Sequence, residues 1–523
     1  MKTRHPVQPR PDRRSAARRA SDLRAPVPAG QLELFELRDR SVLVFGLGES
    51  GLAMARWAAH KGARVRVADT RAEPPQLAAL RAHLPAVEFI SAQPEPAWLE
   101  GVDLVAWSPG ISAELGATGE FHALARARGV PVAGELELFA QALAVLRERG
   151  YEPATIAITG TNGKTTVTAL AAHLCREAGL VTRSAGNIAP ALLDSLREAL
   201  VEDALPEVWV LELSSFQLAL SESLVPDVAT ILNVAQDHLD WHASFESYLA
   251  AKQRIHAPGT IAVVNRADPA SVPLRSTRQV SFGLDAPVAG NDFGTVREGA
   301  LVWLAQTLAE EPAMPGRFAA PGEIMVHRLM PADALRIRGA HNHANALAAL
   351  GLCGAIGVPM ARMLHALRTY AGEPHRCQLV AVLDGVEYYN DSKGTNVSAT
   401  VAGIEGLGRR CWLIAGGDGK GQDFSPLVEP VRRNAAGVVL IGRDAPLLRD
   451  VLEPTGVPLI ECDSIAAALE YASAAAHSGE AVLLSPACAS FDMFRNYGHR
   501  GEVFMAAVRA LAERRGIAME LPC

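Results

Sequence analysis

The sequence predicts an α/β protein of several domains, each a largely parallel sheet with helices packed on it. Three observations carry that expectation. The chain has 523 residues, about three to four times a typical domain of ~150, so several hydrophobic cores are expected. After the first 35 residues, short apolar runs alternate with Ala/Leu-rich helical stretches almost to the end, the rhythm of βαβ units. Several of those runs end in Gly-, Ser- or Asp-bearing loops, and open parallel sheets bind ligands at such strand ends.

The first 30 residues hold eight Lys/Arg against two Asp, several prolines and no apolar periodicity. Such a segment buries too little surface to order itself, so residues 1–35 are expected to form a disordered basic tail. It is Arg-rich and acid-poor like a transit peptide, but it lacks the apolar stretch of a secretory signal. "SVLVFGLG" from Ser41, "ARVRVADT" from Ala63 and "VDLVAWSPG" from Val102 read as strands of a first domain, 36–148. "VWVLELSS" and "VATILNV" read as buried strands of a second, 149–371. "VEYYNDSKGTN", "CWLIAGGDGK" and "AVLLSPACAS" read as strands of a third, 372–523. Residues 285–335 break the rhythm with Gly, Pro and isolated apolar residues, and are expected to be a β-rich excursion.

Composition excludes some classes of function. Hydrophobic content of 49% and charged content of 20% describe a soluble globular chain, and a net charge of −7 offers no broad basic surface for nucleic acid. No apolar run approaches the ~20 residues that span a bilayer. Seven scattered cysteines without a C-x-x-C pair read as reduced thiols rather than a disulfide frame or zinc site. A cytoplasmic monomer, with no nucleic-acid or membrane partner, is the expectation.

"IAITGTNGKTTVTALAAHL", Ile156 to Leu174, joins an apolar run to a helical pattern through a glycine-bearing loop. Gly160, Thr161, Asn162, Gly163, Lys164, Thr165 and Thr166 form a candidate phosphate cradle. Backbone N–H groups and the positive end of the helix would face an anion. Lys164 would reach the β- and γ-phosphates, and the Thr165 hydroxyl would ligate Mg²⁺. The general phosphate-loop motif wants a glycine where Ile158 stands, so this loop is a shortened form. Mg²⁺ also needs hard oxygen ligands at strand ends. Glu212 ends "VWVLELSS", and Asp237, His238 and Asp240 follow "VATILNV".

Two other sets of loops suggest substrates. Gly46, Gly48 and Gly51 follow a strand, and Asp69 ends the next, the spacing of a dinucleotide fingerprint. That geometry serves a nicotinamide dinucleotide or the diphosphate of a UDP-sugar. In the last domain three strands end in "NDSKGTN", "GGDGKGQDF" and "SPACASFDMF". Lys393, Thr395, Lys420 and Ser490 supply the cations and hydroxyls that a dicarboxylate amino acid requires.

"TGTNGKTT", "LELSSFQ", "NVAQDHLDWH" and "HNHANALAA" together resemble the ATP-binding central domain of the Mur ligases. These enzymes add amino acids to the peptidoglycan precursor, and the shortened loop is the family's form. The resemblance runs from about Val42 to Arg500. It implies three domains: a Rossmann-like N-terminal domain, a central P-loop ATPase-like domain and a Rossmann-like C-terminal domain. By the same resemblance Lys164 and Thr165 hold the phosphates and Mg²⁺, Glu212 and His238 serve two magnesium sites, and Lys252 stands where the family has a lysine carbamylated by CO₂. Asn342 and Asn345 match asparagines near the adenine, Arg376 a nucleotide-binding arginine, and Asp391 a ribose ligand. Glu49 and Ser50 would lie near the uracil, with Asp69, Thr70 and Arg71 near the uridine diphosphate. Gly110 and Asn187 would touch the rest of that substrate.

"DSKGTN" and "SPACAS" resemble the branch of the family that joins D-glutamate to UDP-N-acetylmuramoyl-L-alanine. No "D-N-P-R" segment of the diaminopimelate- or lysine-adding relatives is present. Phe491 and Tyr497 of the expected glutamate pocket stand where some members carry Leu and many carry Phe. The expected reaction is ATP-dependent ligation through an acyl-phosphate, in peptidoglycan precursor synthesis, with the C-terminal domain closing over the central one. Another Mur-type ligase, an L-glutamate-adding one included, a nicotinamide oxidoreductase and a nucleotide-switched binding module are the alternatives.

Overall fold

The computed structural model describes residues 37–274, 278–299, 301–308 and 325–517, so the basic tail expected over 1–35 lies outside the described residues. The chain forms two compact units. Of the described residues, the first takes those up to Lys164 together with those of Gly179–Ser281 and Gly351–Val358. The second takes those of Thr165–Ala178, of Phe282–Leu350 and from Pro359 on.

In the first unit, five parallel strands make one sheet: β1 (Ser41–Phe45), β2 (Arg64–Asp69), β3 (Glu88–Ser91), β4 (Leu104–Trp107) and β5 (Val132–Gly134). Their order is β3-β2-β1-β4-β5. Alternate residues of β1 supply opposite faces, as the two-residue period of a strand requires. Val42 and Val44 enter a core with Leu52 and Trp57, while Leu43 and Phe45 meet Trp98, Trp107 and Phe121. Burial on both faces is why such strands read as continuous apolar runs.

A second run of parallel strands follows: β6 (Ala154–Thr159), β7 (Thr182–Gly186), β8 (Val208–Glu212), β9 (Val228–Ile231) and β10 (Ile261–Asn265), ordered β10-β9-β6-β8-β7. The register sets Ile158 of β6 against Glu212 of β8 and Thr230 of β9. The loops that leave β6, β8 and β9 therefore share one edge of the sheet. Glu137, on the helix Glu135–Glu148 after β5, ties the two sets of strands together. Its carboxylate accepts from the amides of Glu222 (2.7 Å) and Ser223 (3.0 Å) and from the hydroxyl of Ser223 (2.6 Å).

In the second unit, Phe282, last residue of β11 (Gln279–Phe282), pairs with Phe293 of β12 (Phe293–Glu298). β13 (Leu301–Thr307) and β14 (Val326–Pro331) extend β12 as an antiparallel meander, the β-rich excursion expected over 285–335. The last sheet holds β15 (Gln378–Leu383), β16 (Val386–Asn390), β17 (Cys411–Gly416), β18 (Ala435–Ile441), β19 (Leu459–Glu461) and β20 (Ala481–Leu484). Their order is β15-β16-β20-β17-β18-β19, parallel except for β15. The three strands expected from sequence are its adjacent members β16, β20 and β17.

Candidate active site

The phosphate loop leaves β6 at Thr159 and turns through Gly163, whose φ of +82° is in the left-handed region that favours glycine. Asn233, just past β9, braces it. The Asn233 carbonyl accepts the Thr161 amide and its side-chain oxygen accepts the Asn162 amide, both at 2.8 Å. The Thr161 hydroxyl accepts from the Ala235 amide (2.9 Å) and lies 2.9 Å from the Tyr248 hydroxyl. Lys164 starts the helix Lys164–Glu177, and its ammonium donates to the carbonyls of Gly160 and Thr161, both at 2.9 Å.

Glu212 ends β8 beside this loop. It is 2% exposed; Oε1 accepts from Asn187 Nδ2 at 3.1 Å, and buried Oε2 has no hydrogen-bond partner. An unsatisfied buried carboxylate oxygen costs stability unless a cation or donor meets it, so this residue fits a hard divalent ion. Lys252, on the helix Phe245–Gln253, is also 2% exposed and donates to the Gly160 carbonyl at 2.9 Å. Burial, with Lys164 nearby, holds its pKa well below the ordinary lysine value. His238 sits at φ +57° with Nε2 3.6 Å from Asp237. Desolvation, then Lys164 and Lys252, lower its pKa against the opposing effect of Asp237. Among the described residues no three His, Cys, Asp or Glu side chains form a ready-made metal cage. Mg²⁺ does not require such a cage, since it takes one or two carboxylates and shares a nucleotide's phosphates.

On the first sheet, a Cβ at Gly51 would lie 1.9 Å from the Gly46 carbonyl oxygen, which explains the glycine at this helix start. Asp69 is 1% exposed, accepts the Leu47 amide at 2.7 Å and grips Arg71 through Nε and Nη2, both at 2.8 Å. Burial raises its pKa, but Arg71 and the amides outweigh that and hold it below the usual range. Glu49 accepts from Gln76, and Ser50 is hydrogen-bonded to buried Glu135. Thr70 is half-buried and Gly110 exposed.

In the second unit, Arg376 Nη2 donates to the Thr165 hydroxyl at 2.6 Å, while Thr166 is buried. Asn342 donates to the Arg338 carbonyl at 2.7 Å and accepts from Asn345 at 3.0 Å. Asp391 is buried, with its oxygens accepting from the Cys377 amide (3.1 Å) and the Ser485 hydroxyl (2.7 Å); burial raises its pKa to about 6. Lys393 lies 3.7 Å over the Tyr497 ring and Lys420 6.0 Å over Phe491. Phe491 is 69% exposed, an open apolar ring beside a cation. Thr395 bonds back to the Lys393 carbonyl through its amide at 2.8 Å, and Ser490 is buried.

Three family models match: the MurD-like N-terminal domain of Mur ligases over residues 40–134, the Mur ligase middle domain over 158–353, and the glutamate ligase domain over 375–488. The chain belongs to the Mur ligase family. Proteins named UDP-N-acetylmuramoylalanine–D-glutamate ligase from Burkholderia mallei (strain SAVP1) and Burkholderia pseudomallei (strain 668) are each 55% identical to this Mur ligase. Each match covers 91% of this chain and 98% of the relative. The crystal structure of UDP-N-acetylmuramate-alanine ligase MurC from Thermotoga maritima has the same fold, with a TM-score of 0.53, 19% identity, and coverage of 90% of this chain and 99% of that one. The family's reaction uses ATP, and no helix among the described residues is long and apolar enough to cross a membrane.

Sequence reasoning missed several residues that shape this Mur ligase's site. Asn233 and Tyr248 brace the phosphate loop, and Glu135 meets Ser50 and the Leu193 amide (3.0 Å). Asn233 stands inside "NVAQDHLDWH", so its place at the strand end was the available signal. Glu135 opens the helix Glu135–Glu148, and nothing in its local sequence marks its distant partners.

Proposed function

We propose that this Mur ligase joins D-glutamate to UDP-N-acetylmuramoyl-L-alanine using ATP, through an acyl-phosphate, in cytoplasmic synthesis of the peptidoglycan precursor. The observation that carries the reading is 55% identity, across nearly the whole chain, to proteins bearing that name. The domains divide the work: 36–148 holds the UDP substrate, 149–371 the ATP and 372–523 the amino acid.

Glu49, Ser50, Asp69, Thr70, Arg71, Gly110 and Asn187 bind the UDP substrate. Asn342, Asn345, Arg376 and Asp391 bind the nucleoside of ATP, and the loop from Gly160 to Thr166 binds its phosphates. Glu212, His238 and the Thr165 hydroxyl would hold Mg²⁺, two ions in all, whose charge offsets that of the phosphates. Burial lowers the Lys252 pKa, which favours the neutral amine that can bond to CO₂ and release a proton; the resulting carbamate is an anion that would join that ligand set.

A carboxylate oxygen of the UDP substrate attacks the γ-phosphorus and ADP leaves. Lys164 meets the charge that spreads over the transferring group. The glutamate amine then attacks the acyl carbon, and the tetrahedral adduct loses phosphate while the nitrogen loses a proton. His238, neutral near pH 7 because its pKa is lowered, has a lone pair for a metal ion or for that proton. Lys393, Lys420, Thr395 and Ser490 hold the two carboxylates of glutamate between Phe491 and Tyr497.

Phosphate release in the presence of UDP-N-acetylmuramoyl-L-alanine tests this directly. Release that requires D-glutamate is the expected result. Release with L-glutamate or another amino acid instead would assign a different acceptor.

A further inference from the structure

Two stretches of the first unit meet. One is Ser108–Glu114, the loop after β4 that includes Gly110. The other is Asp237–Ser247, which bears His238 and leads into the helix Phe245–Gln253 that carries Lys252. Three residues of the first stretch grip the second. The Pro109 carbonyl accepts Trp241 Nε1 at 3.0 Å, and the Ser112 hydroxyl donates to the Trp241 carbonyl at 2.7 Å. Glu114 accepts the Ala243 amide at 2.9 Å and the Ser247 hydroxyl at 2.6 Å, both on Oε2. Its Oε1 lies 3.4 Å from Nδ1 of His242, a wholly buried ring whose Nε2 is 3.0 Å from the Ser215 hydroxyl.

Each gripped piece leads to a side chain of the proposed site. The amides of Trp241 and His242 both bond back to the His238 carbonyl, at 3.1 and 3.0 Å, so fixing those residues fixes the turn that displays His238. Ala243 and Ser247 flank Ser244, whose side chain caps the Lys252 helix by accepting the Ser247 amide. A carboxylate there also faces the positive end of that helix.

We propose that Glu114 is a positioning residue for the ligase reaction: from the substrate-side loop it sets both the His238 turn and the Lys252 helix, so that filling the UDP-substrate side orders the phosphate side. The inference rests on the reaction proposed above. Glu137 supplies the natural control. It is a buried carboxylate that bridges the same two sets of strands, but it accepts from Ser221, Glu222 and Ser223 and not from the His238 turn.

The test uses the full-length protein and the variants Glu114→Ala, Glu114→Gln and Glu137→Gln. In the wild type, UDP-N-acetylmuramoyl-L-alanine should tighten binding of a non-hydrolysable ATP analogue with Mg²⁺, read by calorimetry. Glu114→Ala should remove that enhancement and lower kcat at least tenfold with the D-glutamate KM within twofold, while Glu114→Gln, which keeps one acceptor, should recover most of both. Glu137→Gln should lower the melting temperature and leave the enhancement intact. Three results would overturn the proposal: no enhancement in the wild type, an enhancement that survives Glu114→Ala, or a kcat loss that only tracks the melted fraction. A wild type without D-glutamate-dependent turnover would refute the acceptor assignment, and the calorimetric arm would still decide the role of Glu114.

Discussion

Arg376 and Thr165, 211 positions apart in sequence, are joined by a hydrogen bond of 2.6 Å from the guanidinium to the hydroxyl. A hydroxyl that accepts from a fixed cation turns its own proton and remaining lone pair elsewhere, which prepares it for a phosphate or an ion. Loss of a charged hydrogen bond costs roughly 1.5–3 kcal/mol, about ten- to hundredfold in an equilibrium constant. Arg376→Ala is therefore expected to raise the ATP KM by that factor with the UDP-substrate KM little changed. Steady-state kinetics in each substrate will measure it, and a rise below threefold would remove Arg376 from nucleotide binding.

Lys164 belongs to the loop that would cradle the phosphates, and its ammonium bonds to two of that loop's carbonyls. Lys164→Ala should abolish acyl-phosphate formation, followed by ADP release, and leave UDP-substrate binding within a few-fold of the wild type by calorimetry. Turnover surviving within tenfold would show that the loop does not hold the transferring group.

Lys393, over the ring of Tyr497, and Lys420, beside Phe491, are the cations offered to the amino-acid substrate. Lys393→Ala should raise the glutamate KM at least tenfold and the ATP KM less than twofold. An equal rise in both would mean that Lys393 serves the fold or the nucleotide instead.

Glu135 predicts a pH dependence of stability. Buried, with Oε2 unpartnered, it has its pKa raised from 4.5 to about 7, chiefly by desolvation and against the pull of Ser50 and the Leu193 amide. Between those values the folded state keeps a proton that the unfolded chain has lost. The group therefore costs nothing below pH 4.5, and stability falls as pH rises from 4.5 towards 7. Above pH 7 the loss levels off at about 3 kcal/mol, an order-of-magnitude figure. Glu135→Gln should melt several degrees above the wild type at pH 8 and at nearly the same temperature at pH 5. Thermal denaturation at the two pH values will read the difference, and a gap of the same size at both would exclude this titration.

What the sequence revealed and what it concealed follow from range. β1, β6, β8 and β17 were legible because strands buried on both faces must be written as apolar runs, and their ligand loops follow at fixed local spacing. Lys164, Glu212 and His238 could be found because each sits at the end of such a run. Lys252 could not be found by that route, since a lysine in an Ala-rich helix looks solvated; only the family resemblance singled it out. Glu114, Glu135 and Glu137 carry no local mark at all. Glu135 and Glu137 are buried and Glu114 is exposed, yet each is held by partners 58 to 133 residues away, and no periodicity encodes which carboxylate will meet which distant amide. The excursion over 285–335 was legible as a break in rhythm, but its antiparallel register was not.

Lys252 gives the last prediction. A lysine removed from water and placed near a second ammonium loses its proton readily, and its neutral amine is the form that bonds to CO₂. If the carbamate supplies an anion to the metal site, Lys252→Ala should lose most of its kcat and bind Mg²⁺-nucleotide more weakly. It should also leave a cavity of side-chain length with the Gly160 carbonyl at its inner end. A short carboxylic acid such as acetate or propionate, entering that space, would restore the missing charge. Partial recovery of kcat that saturates with acid concentration, and that chloride at equal ionic strength does not reproduce, is the expected outcome. Mass spectrometry of the wild type under ¹³CO₂, with trapping of the adduct, should place the added carbon on Lys252. Recovery by salt alone would reduce Lys252 to a packing and hydrogen-bonding role beside the phosphate loop.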